Sequence, residues 1–106
     1  MIIRRFEDLD AWWVADELKR EVYALTATGP ASKDYDFRNQ IRDAAGSGTR
    51  NISEGFGRYY PRDFARFMDF SIASVMEVQD CLNDGIERGH FTVSSTAKAR
   101  RLAVRS

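Results

Sequence analysis

The stretch Gln40-Ile41-Arg42-Asp43-Ala44-Ala45-Gly46-Ser47-Gly48-Thr49-Arg50-Asn51-Ile52-Ser53-Glu54-Gly55-Phe56-Gly57-Arg58 decides how this chain folds. With Phe37 just ahead of it, Ile41, Ala44, Ala45, Gly48 and Ile52 recur at steps of three and four, the spacing of a helix that buries one stripe. The middle of that stripe carries only small side chains. A neighbouring helix can therefore approach the backbone closely, although Gly46 and Gly48 each cost roughly 1 kcal/mol of helix propensity. Gln40, Ser47, Asn51 and Glu54 follow a seven, four, three spacing. A polar seam thus runs beside the apolar stripe and ends at the Gly55/Gly57 stop signal.

Working outward, Ala11, Ala15, Leu18, Val22 and Leu25 form a second stripe that Asp8 or Asp10 can cap and Thr28-Gly29-Pro30 ends. Trp12, Trp13 and Tyr23 add aromatic surface off the centre of this stripe, more than one small core needs. Beyond the central stretch, Pro61 suits the first turn of a third helix, with Asp63 near its positive end. Phe64, Phe67, Ser71, Val75, Val78, Leu82 and Ile86 carry that helix to Gly89. Ser94 or Ser95 can cap a short last helix through Lys98, Leu102 and Arg105. The pattern predicts an all-α, single-domain protein over residues 1–106, with helices at about 8–28, 35–55, 61–88 and 94–105.

Gln-Ile-Arg-x-Ala-Ala-x-Ser, then Asn-Ile-x-Glu-Gly-x-Gly-Arg, then Arg66-Phe67-Met68 and Ser74-x-x-Glu77 in an aromatic-rich helix, resemble the bacterial four-helix bundle protein family. That family was first described from open reading frames within intervening sequences of 23S ribosomal RNA genes. The resemblance runs from about Phe6 to Phe91 and preserves the order of the motifs. It implies an antiparallel up-and-down four-helix bundle that assembles as a ring, a homopentamer. A related branch, the accessory proteins of diversity-generating retroelements, binds nucleic acid and a reverse transcriptase. The chain departs from the family pattern at Gly48 and Thr49, where a branched apolar residue and a proline are usual, and at Ser71 and Ala73.

The chain has 106 residues, 43% of them hydrophobic and 30% charged, the composition of a folded protein with only a modest core. No apolar run approaches a membrane span, and the charged start Met1-Ile2-Ile3-Arg4-Arg5-Phe6-Glu7-Asp8 lacks the apolar core of a signal peptide. A cytoplasmic protein is therefore expected, without a membrane partner. Cys81 is the single cysteine and has no internal disulfide partner. Sixteen basic residues balance sixteen acidic ones, so the whole-molecule field does not favour nucleic acid.

No nucleophile with its base, metal set or phosphate loop is evident, and the expectation is a non-enzymatic protein with no catalytic residues, cofactor or metal. A lone histidine, His90, excludes the paired Glu-x-x-His repeats of a di-iron bundle. Gln40, Ser47, Asn51, Glu54, Ser74 and Glu77 read as a structural polar network holding helices in register, with Glu54 substantially buried. Hydrolysis through the Glu54 and Glu77 carboxylates is the enzymatic reading of the same residues. Arg38, Arg42, Arg50, Arg58, Arg62 and Arg66 with Tyr59 and Tyr60 form the candidate nucleic-acid surface, since guanidinium groups pair with phosphates and aromatic rings stack on bases. Asp43, Asp63 and Asp69 interrupt it, and a solvated mixed-charge face is the plainer reading. The expected function is a homo-oligomeric scaffold or binding module, with a nucleic-acid-binding accessory protein, partnering a reverse transcriptase or ribosomal RNA, as the alternative.

Overall fold

A computed structural model describes residues 9–58 and 60–105, so Asp8 as a cap lies outside the described residues. The chain forms α1 (Asp10–Leu25), a 3-10 turn (Pro30–Ser32), α2 (Tyr35–Phe56), α3 (Pro61–Glu87) and α4 (Ala97–Arg105), with no strand among the described residues. It is an all-helical bundle. Leu9 occupies the N-cap of α1 without a side-chain hydrogen bond, and Asp10 lies in the first turn. The helix stops at Leu25, short of the Gly29-Pro30 breaker, because Thr26 turns back and its hydroxyl donates to the Val22 carbonyl at 2.8 Å. At the other end of the chain, Thr92 and Ser95 exchange side-chain to backbone hydrogen bonds at 3.0 Å each, and α4 begins only at Ala97.

All six members of the α2 stripe are buried, and Phe37, Ile41, Ala44 and Ala45 share one core with Leu18 and Val22 of α1, Val78 and Leu82 of α3, and Ala99 and Leu102 of α4. Helix α2 packs chiefly on α3 and also on α1, while the nine-residue α4 packs on α1 and α3. Along the α2 and α3 contact, Phe37 lies against Gly85, Gly48 against Val75 and Ser71, and Gly55 against Phe67. The small side chains of α2 set this close approach. At its tightest, a Cβ on Gly55 would stand 2.7 Å from the Cβ of Phe67. Gly55 is therefore a buried packing residue inside α2 and not part of a stop signal; Gly57 takes the C-cap.

Asp34 caps α2 and ties it to the far end of α3. Its carboxylate accepts from the Phe37 amide at 3.4 Å, from Arg88 Nη1 at 2.9 Å and from His90 Nε2 at 2.8 Å. The His90 hydrogen bond above all, joined by those of Arg88 and the Phe37 amide, holds the Asp34 carboxyl below the usual range against the opposing effect of burial. His90 reaches Asp34 because α3 ends in a Schellman turn. Gly89 adopts φ 79°, a conformation other residues avoid, its amide donates to Ile86, and the His90 amide donates to Gly85.

Candidate interaction surface

The polar seam is half assembled. Asn51 Nδ2 donates to the carbonyl and hydroxyl of Ser47 at 2.8 and 3.0 Å, and Ser74 crosses from α3 to reach the Ser47 hydroxyl at 2.9 Å. A residue the seam spacing did not include, Ser71, adds a second bridge by donating to the Gly48 carbonyl at 2.9 Å. Gln40 and Glu77 stand apart from this network. Both are exposed, and with Asp80, Cys81 and Asp84 they line a recess of about 330 Å³. Burial, joined by the neighbouring carboxylates of Glu77, Asp84 and Asp80, pushes the Cys81 thiol up to about 11, far from a reactive thiolate at neutral pH.

Glu54 corrects an expectation. It is not buried: its side chain is 61% exposed, and Arg58 Nη2 lies 3.8 Å from its carboxylate. Helix α2 continues through Gly55 but ends at Phe56, so Arg58 lies beyond the Gly57 C-cap and the pair is made outside regular helical geometry. An exposed pair at that distance contributes little, and Glu54→Ala should move stability by no more than about 0.5 kcal/mol. A urea denaturation midpoint at matched subunit concentration checks this. Nor do Glu54 and Glu77 form a catalytic pair. Ser74 sits level with Ser47, which leaves the two carboxylates about three helical turns, or ~16 Å, apart.

The arginines are spread along the length of α2 and the start of α3. Arg42 is structural: Nε donates to the buried Thr26 hydroxyl at 2.8 Å, and its guanidinium covers the Tyr23 ring at 4.9 Å. Arg38 covers Tyr35 at 4.9 Å and donates to the Ser32 carbonyl, while Arg50 pairs with Asp43 at 3.3 Å. Just past the end of α2, about 30 Å from Arg38 and about 12 Å from Arg50 by the helical rise per residue, Arg58 lies over Phe67 at 4.6 Å, and Arg66 lies 5.9 Å from both Phe67 and Phe70. Arg62 and Tyr60 are exposed at this end; Tyr59 lies outside the described residues. Sequence periodicity could not reveal the links of Arg42 to Tyr23 and Thr26 or of Arg58 to Phe67, because each depends on how separate elements meet, whereas Arg38 with Tyr35 and Arg66 with Phe70 are neighbours on one helix.

Large apolar side chains remain on the surface of α1 and α3: Trp13 is 52% exposed, Ile72 50% and Met76 61%. Ile72 and Met76 are one turn apart and share a face, whereas Phe70 stands on another. Among the described residues, no group of three or more His, Cys, Asp or Glu side chains comes together as metal ligands would. No described helix is long and apolar enough to cross a membrane.

Close glycine and serine contacts between its helices define the class as a small all-α helical bundle. The chain belongs to the 23S rRNA-intervening sequence protein family, whose model it matches over residues 7–105. No curated protein matches it.

Proposed function

We propose that the chain is a non-enzymatic, cytoplasmic scaffold or binding protein that works as a homo-oligomer, a pentameric ring of antiparallel up-and-down four-helix bundles. The observation that carries this reading is the exposure of Ile72 and Met76 on one face of α3, with Trp13 also exposed on α1, in a chain of 106 residues, since apolar side chains grouped on a helix face mark an interaction surface. The descending register of α3 against α2 supports the antiparallel arrangement, and the free, buried Cys81 suits a reducing compartment. Light scattering on a sizing column should give a mass several times 12.1 kDa. A helical species of 12.1 kDa at every concentration would remove the reading.

A nucleic-acid-binding accessory protein, partnering a reverse transcriptase or ribosomal RNA, is the second reading. Exposed Arg62 and Tyr60 beside Arg58 and Arg66 favour it, and a ring would repeat this weak patch and raise avidity. Binding to single-stranded RNA should then fall steeply with salt and drop on joint replacement of Arg58 and Arg62. No binding at low salt would eliminate it.

A further inference from the structure

Charge is segregated along the second half of the chain. Residues 67–87 hold five carboxylates and no lysine or arginine, whereas residues 88–106 hold five basic residues and no carboxylate. Arg88 pairs with Asp84 and Asp34 at the end of α3, and the fold turns the rest of these blocks into two faces. On α3, Asp69, Met76, Asp80 and Glu87 follow a seven, four, seven spacing along one exposed line, beside the recess that Glu77 and Asp84 border. On α4, Ala99, Leu102 and Ala103 turn inward, which leaves Lys98, Arg101 and Arg105 outward around Val104, itself 77% exposed. Arg100, Arg101, Val104 and Arg105 border a second recess of about 460 Å³.

The two faces do not satisfy each other within one chain. Asp69, Glu77, Asp80, Glu87, Arg101 and Arg105 enter no ion pair among the described residues. Each face places an exposed apolar side chain, Met76 or Val104, among charges of one sign, and the signs are opposite. We infer that the outer face of α4 docks on the acidic face of α3 in a second copy of this chain. The contact is heterologous, because each copy offers a different patch on each side, and that is the interface type that closes into a ring of more than two subunits. Complementary charge fixes which face meets which, and the apolar centres supply the desolvated contact. A nucleic acid is the weaker occupant of α4, since the carboxylates of α3 repel a polyanion.

This inference rests on the homo-oligomer reading, and charge reversal separates the two. Arg101→Glu with Arg105→Glu should reduce the wild-type mass to 12.1 kDa with helicity unchanged, and Glu77→Arg with Asp80→Arg should do the same. The fourfold variant, with both faces reversed, should assemble again, whereas Lys33→Glu should leave the mass unaltered. An oligomer whose mass neither reversal changes, or a fourfold variant that stays a single subunit, overturns the pairing while leaving assembly itself standing. An Arg101→Glu, Arg105→Glu variant that keeps its mass and loses RNA binding instead assigns α4 to nucleic acid and also overturns it. A wild-type protein of 12.1 kDa removes both readings.

Discussion

Phe37→Ala is expected to lower stability by about 3–5 kcal/mol, the cost of removing a large buried ring from a core that relaxes only in part. Phe37 is 2% exposed and is the largest fully buried side chain among the described residues. Its ring meets Phe91 at 5.7 Å and His90 at 5.2 Å between centroids, and Arg88 covers it at 5.5 Å. One substitution therefore loosens the start of α2, the end of α3 and the segment leading to α4 together. Small domains hold only about 5–15 kcal/mol in total, so the loss is a large share of what keeps the chain folded. Urea denaturation at matched subunit concentration, with near-ultraviolet circular dichroism as a second signal, measures it. A shift below about 1 kcal/mol would mean that Phe37 is not held between α2 and α3.

Gly85→Ala should destabilise by about 1–3 kcal/mol, although replacing glycine with alanine inside a helix ordinarily gains about 1 kcal/mol. The sign reverses because an added Cβ runs into the ring of Phe91 and stands 2.9 Å from Cζ of Phe37. Gly48→Ala is the matched control. There the new Cβ meets Val75 Cγ2 at 3.6 Å, an ordinary contact, and the variant should be neutral or more stable. Gly85→Ala combined with Phe91→Leu should cost less than the sum of the two single changes, because the smaller side chain vacates the space the Cβ needs. Strict additivity in the denaturation midpoints would place Phe91 elsewhere.

Much of the bundle was legible because helical burial repeats every three to four residues. Phe37, Ile41, Ala44, Ala45, Gly48 and Ile52 reveal the buried face of α2 without any neighbour being known. The polar seam was less legible. The spacing of Gln40, Ser47, Asn51 and Glu54 shows that they share a side of α2, but not how far α3 covers that side. Cover reaches Ser47, which meets Ser74, and Asn51, which donates to Ser47, and leaves Gln40 and Glu54 exposed.

The amino-acid sequence by itself determined that this is an all-helical chain of one family, which faces of its helices are apolar, and that its last two charge blocks have opposite sign. These are properties of residue order, and 3.6 residues per turn converts order into faces without further information. Only the tertiary structure decided that Gly55 and Gly85 are packing residues, that Arg42 holds Thr26, and that His90 and Arg88 clasp the cap of α2. Each of those depends on the distance between groups far apart in the chain, 16 residues for Arg42 and Thr26 and 56 for His90 and Asp34. Such distances arise only when one helix settles against another, because periodicity encodes which side of a helix is covered but not which residue lies opposite.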